Sequence, residues 1–189
     1  MTRIVNRIFS ILNADSLEKD DQQIAKYGLE VFLLNAITGV GVVSIGILTG
    51  YIKEMLIILS VFITFRPLTG GYHAKSFTGC FIGTISIFGA IIFIGEKIMP
   101  MLETPVMLGT IWLVLANMFL VGPIKNPVHI LENGTYMKLH KKIRKLCMGE
   151  VVLCSVWIIF QRSLYSDIHV CAILVVFILM LCGLKIEGK

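Results

Sequence analysis

The chain has 189 residues, 56% of them hydrophobic and 15% charged, with a formal net charge of +5 and a mean hydropathy of +0.85. Soluble domains carry about 25% charged residues, so this composition excludes an ordinary soluble domain. In a membrane chain the basic excess reports orientation and does not point to nucleic acid. Residues 1–30 come first and lack the long apolar core and small-residue cleavage site of a secretory signal. Ile4, Ile8, Ile11 and Leu12 share one helical face, with Arg3 and Arg7 elsewhere. That pattern predicts a short amphipathic helix, lying on the membrane surface or packed on the rest of the protein. Six apolar segments follow, at roughly Val31–Ile52, Met55–Phe65, Phe77–Gly95, Val106–Gly122, Leu146–Phe160 and Ile168–Leu184. The expected fold is all-α. A polytopic helical bundle over 31–184 follows the cytoplasmic or interfacial helix of 1–30, in a single domain spanning 1–189.

The second segment is short. Its apolar residues cover only about 17 Å of helix against a hydrocarbon core of about 30 Å, so length alone allows a re-entrant dip. Charge parity favours a crossing. With six crossings and a cytoplasmic N-terminus, fourteen of the seventeen Lys and Arg residues lie inside, and Lys53, Lys97 and Arg162 lie outside. Without the second crossing, the basic loop "PIKNPVHILENGTYMKLHKKIRK" moves outside. Both termini and residues 66–76 are therefore expected in the cytoplasm, with the second segment extending through "RPL" and Arg66 snorkelling to the interface.

The polar gap "RPLTGGYHAKSFTGC", residues 66–80, holds the first histidine and the first cysteine of the chain. A thiolate attacks carbonyls, and an imidazole can take the thiol proton and return it to a leaving amine. Thr78 is a candidate N-cap for the third segment, which would put Cys80 in its first turn, where the helix N-terminus favours a thiolate. On one continuous helix His73 and Cys80 would stand about 10 Å apart. A working pair needs a bend, and Gly70, Gly71 and Gly79 are the flexible points. A solvated loop histidine and a packing cysteine remain the plain alternative.

The pattern Arg66, Gly71, His73, Ala74, Ser76 and Cys80 resembles the signature of the accessory gene regulator B (AgrB) family, integral-membrane cysteine endopeptidases of Gram-positive quorum sensing. Chain length, span layout and the Pro-containing basic loop before the last two segments are similar too. The resemblance implies that Cys80 and His73 are the catalytic pair, with Arg66, Gly71 and Ser76 supporting them. It implies a small propeptide substrate of the AgrD type, cut before an acidic tail. The central segment would remain as a thioester on Cys80, until an internal Cys or Ser closes it to a thiolactone or lactone. It also implies a homodimer.

Other polar residues in or near the spans are weighed separately. Glu150 stands about one turn inside the fifth segment. Intramembrane acids are costly and often functional, so a substrate role stands beside simple pairing with Lys145. The run with Lys141, Lys142, Arg144 and Lys145 is a positive-inside anchor, or a dock for anionic lipid or the acidic tail. Asn117 is expected to hydrogen-bond between helices. Cys147, Cys154, Cys171 and Cys182 read as small hydrophobes. No CxxC pair or zinc-like Cys/His spacing occurs, so no metal and no cofactor is expected. The competing readings are a peptide transporter without chemistry of its own and a structural subunit that recruits a soluble protease.

Overall fold

A computed structural model describes residues 19–70, 77–123 and 133–187. Among these residues the chain is helical apart from short turns, with no strand. Helix α1 spans Lys19–Thr49, α2 Ile52–Thr69, α3 Phe77–Lys97, α4 Thr104–Val121, α5 Asn133–Phe160 and α6 Leu164–Glu187, with a 3₁₀ turn at Met99–Met101. Each helix contains one expected apolar segment, trimmed by a few residues at some ends, as backbone hydrogen bonding carries the helices past the apolar runs or stops them at glycine.

The first boundary differs from expectation. Residues 19–30 continue α1 instead of joining a separate surface helix. At 31 residues α1 is about 47 Å long, well beyond the bilayer core, so its charged first turns extend past the apolar part. That apolar part runs Gly28–Thr49. The expected amphipathic helix at Ile4–Leu12 lies outside the described residues.

Helix α2 is continuous for 18 residues and passes through Arg66 and Pro67, giving a length of about 27 Å, close to a full crossing. Four stretches are long and apolar enough to cross by themselves: Gly28–Thr49, Thr78–Met101, Thr104–Val121 and Leu164–Leu184. Helix α2 carries Lys53, Glu54 and Arg66, and the apolar half of α5 carries Arg144, Lys145 and Glu150. These charges set the two apart. The chain is a helical membrane protein, and its outward surface is correspondingly oily: Leu48, Met101 and Phe160 are each more than 80% exposed.

The helices alternate in direction. Gly50, with φ of 81°, turns the chain so that Gly46 of α1 packs on Ile52 and Met55 of α2. At that end, which we call the Arg162 end, Arg162 donates to the carbonyls of Met99 and Leu102, both at 2.7 Å, and pairs with Asp167 at 3.5 Å. Ser163 and Ser166 cap α6 reciprocally, each hydroxyl accepting the other's backbone N–H at 3.4 and 3.0 Å. At the opposite end Gly122 closes α4 with φ of 71°, and the His140 ring of α5 rests against it. This opposite end gathers Arg66, Lys138, Lys141, Lys142, Arg144 and Lys145.

Helix α6 is the central element. Of its spanning stretch 56% is buried inside the protein, against 12–28% for the other three, and it packs on α2, α3, α4 and α5. Gly95 allows α3 to approach Ile168 of α6 closely. Ile58, Phe65, Phe88, Ile111, Ile143 and Ile173 fill the core between these helices.

Candidate active site

Helix α2 stops at Gly70, whose φ of 70° and ψ of −149° suit glycine, and whose N–H bonds to the Arg66 carbonyl at 3.0 Å. This ends α2 before His73; the bend expected between His73 and Cys80 involves residues outside the described ones. The Thr69 hydroxyl donates to Phe65 O at 3.1 Å inside the last turn. Arg66, expected to snorkel, reaches toward the end of its own helix. Its Nη1 donates to Gly70 O at 3.1 Å, folding the guanidinium over the helix end.

Helix α3 begins at Phe77, so Thr78 lies inside its first turn and is not the N-cap. Gly79 is likewise helical and does not bend the chain. Cys80 is the fourth residue of the helix, partly exposed, with a free thiol. Its carbonyl accepts the Thr84 hydroxyl at 2.8 Å. Packing brings this turn to the end of α2, and the Arg66 guanidinium interacts electrostatically with Cys80. A cation in electrostatic range and a helix N-terminus are surroundings in which nucleophilic cysteines are commonly found. Next to Cys80, Phe81 lies against Gly41 of α1, where a Cβ would come within 2.6 Å of the ring. The glycine allows this close seating and holds the start of α3 against α1. Gly71, His73 and Ser76 lie outside the described residues.

The remaining candidates are elsewhere. Lys141, Lys142, Arg144 and Lys145 are all exposed, and Arg144 lies 4.9 Å over the Phe119 ring of α4. Among the described residues the ion-pair partner of Glu150 is His169 of α6, at 2.9 Å, and not Lys145. The Cys154 thiol stands 3.8 Å from the same carboxylate oxygen. Asn117 donates to Leu113 O within its own helix, at 2.8 Å, and makes no interhelical bond there. A wide cavity of about 720 Å³ opens at the Arg162 end, lined by Glu96, Lys97, Arg162 and Asp167 among others. Sixteen residues of α3 separate Glu96 from Cys80, about 24 Å along the axis, so this cavity cannot serve Cys80 chemistry.

Sequence reasoning missed His169 and Cys154 as partners of Glu150. A faint signal existed: Glu150 and Cys154 are four apart, one turn of the same helix. The meeting with His169 depends on how α5 and α6 cross, which spacing does not reveal.

The family model described as accessory gene regulator B matches residues 1–184. An AgrB-like protein of Listeria innocua is 27% identical over 153 residues, covering 79% of this chain and 73% of the relative. AgrB-like protein 1 of Clostridium perfringens is 29% identical over 129 residues, covering 68% and 65%. Protein FsrB of Enterococcus faecalis is 24% identical over 151 residues, covering 77% and 62%. No solved structure matches.

Proposed function

Because the chain belongs to the accessory gene regulator B family, we propose that it is a membrane cysteine endopeptidase that processes a quorum-sensing propeptide of the AgrD type. The observation that carries this reading is the placement of Cys80: partly exposed, in the first turn of α3, in electrostatic range of the Arg66 guanidinium.

In this mechanism His73 takes the Cys80 proton. The thiolate attacks the carbonyl carbon of the peptide bond before the substrate's tail. The C–N bond breaks as the imidazolium returns its proton to the leaving amine, and the tail departs with a new amino terminus. The central segment stays as a thioester on Sγ. An internal thiol or hydroxyl of the substrate then attacks the thioester carbonyl, giving its proton to His73; the acyl C–Sγ bond breaks, Cys80 leaves as a thiolate that His73 reprotonates, and the ring closes. A held nucleophile can act at an effective molarity of about 10⁵ M or more, far above water at about 55 M. Closure therefore outruns hydrolysis when the segment is held near the interface. The exposed Lys141, Lys142 and Lys145 sit at the same end of the bundle and suit an acidic tail or anionic lipid. By the charge parity this end faces the cytoplasm, and the active form is a homodimer.

The test uses purified protein in lipid with its cognate propeptide. Wild type cleaves it, and a substrate whose internal nucleophile is replaced by Ala is still cut but accumulates as a hydroxylamine-labile adduct on Cys80. Cleavage of that substrate with no adduct would replace the acyl-enzyme with a His73-activated water. Absence of any cleavage by well-folded wild type would favour a transport or recruiting role.

A further inference from the structure

Away from Cys80, helices α5 and α6 bring together three donor atoms that the proposed chemistry does not use. Glu150 and Cys154 project from one face of α5, a turn apart. His169 meets them from α6, with Nε2 at 2.9 Å from Glu150 Oε2. Cys154 Sγ is 3.8 Å from the same oxygen, and the three ligand atoms lie within 4.8 Å of one another. Cys154 is buried, and the Glu150 and His169 side chains are 14% and 11% exposed. The cluster lies about 8–15 Å along the helices from the Arg162 end, inside the hydrocarbon depth.

We propose that Glu150, Cys154 and His169 bind one divalent transition-metal ion, with Zn²⁺ the best fit. Imidazole, carboxylate and thiolate are its three common protein ligands, and three of them with a fourth position left open is the pattern of a reactive zinc site. Ligand bonds of about 2.0–2.3 Å set tetrahedral donors about 3.3–3.7 Å apart. The Glu150–Cys154 separation is already close to this, and the Glu150–His169 pair has to open by about half an ångström. Two ligands four residues apart on one helix, with a third from a neighbour, is a common way to hold this metal. Charge favours a divalent ion. A carboxylate, a thiolate and a neutral imidazole sum to −2, so the ion makes the site neutral at a depth where net charge is costly. A monovalent ion would leave a net charge. Binding forms metal–O, metal–S and metal–N bonds and releases the thiol proton to water. Trp157, with its ring 5.7 Å from that of His169, forms an apolar wall beside the site.

The competing state is a Glu150 carboxylate bonded to a protonated His169, with no metal. Full-length protein in lipid, stripped with chelator and reloaded with Co²⁺, separates the two. The expected result is one tightly held ion per chain, with a near-ultraviolet thiolate-to-cobalt band that Zn²⁺ abolishes. Cys154→Ala removes the band, and Glu150→Gln or His169→Ala weakens binding about tenfold or more. The unsubstituted protein supplies a measurement that does not depend on variant folding. Zn²⁺ should slow alkylation of Cys154 about tenfold, as a metal-bound thiolate is masked, while the buried Cys147 and Cys171 keep their rates. Loss of bound metal on stripping with no reuptake, equal Co²⁺ spectra in wild type and Cys154→Ala, or unprotected Cys154 each overturns the site in favour of the hydrogen-bonded pair. None of these readouts depends on propeptide cleavage.

Discussion

Cys80 and Cys154 are both free thiols on helices of one bundle, yet their neighbours oppose each other in sign. Cys80 sits in a helix's first turn, partly exposed, with the Arg66 cation beside it. Cys154 is buried toward the C-terminal end of α5, with the Glu150 carboxylate 3.8 Å away. Positive potential and access suit a nucleophile; a carboxylate and burial suit a ligand or an inert thiol. Residue type therefore says little about a cysteine in a membrane chain. The charge beside the sulfur and its depth separate the roles.

The comparison is broken most directly by removing each thiol. Cys80→Ala should abolish propeptide cleavage and the covalent adduct, read by gel and by intact mass. Replacing Cys147, Cys154, Cys171 and Cys182 together should keep most cleavage. His73→Ala should cost about 10²–10⁴-fold in kcat/KM, the usual contribution of a general base. Activity surviving Cys80→Ala would erase the distinction between the two thiols.

Arg66 tests whether the neighbouring cation sets the difference. Arg66→Gln should slow alkylation of Cys80 at neutral pH, since it removes the cation that interacts with that residue. Cleavage should fall with it, while Cys154 reactivity stays constant. An unchanged alkylation rate would leave the helix N-terminus as the sole source of potential.

Depth is read by accessibility. Single cysteines at Lys75 and Asn133, in a background without other cysteines, should resist an impermeant maleimide applied outside the cell, while one placed at Lys97 should react. Labelling of Lys75→Cys from outside would reverse the orientation and with it the side on which Cys80 works.

The smallest expected effect concerns the frame at the Cys80 end. Gly122→Ala forces an L-residue into φ of 71° and pushes a methyl into the His140 ring. It should lower stability by about 1–3 kcal/mol, visible as a fall in Tm, with little change in Cys154 alkylation.

Much of this protein was legible in order along the chain. Apolar runs separated by charge predict helices, and a helix satisfies its own backbone groups in a bilayer, so six runs became six helices without help from their neighbours. The pattern from Arg66 to Cys80 was legible as one polar gap between two helices because its residues are near in sequence. Local capping was less legible: α3 begins at Phe77, one residue before the expected cap at Thr78, since several small polar residues there could start a helix. Tertiary structure alone decided which charge each buried group meets. Spacing offered Lys145 to Glu150, but the crossing of α5 and α6 supplied His169 instead, and the folding of Arg66 over Gly70 left it in electrostatic range of Cys80. Helix formation depends on hydrogen bonds within four residues, whereas partners across a bundle depend on the rotation and crossing of whole helices, which packing at Gly41, Gly95 and Gly122 sets.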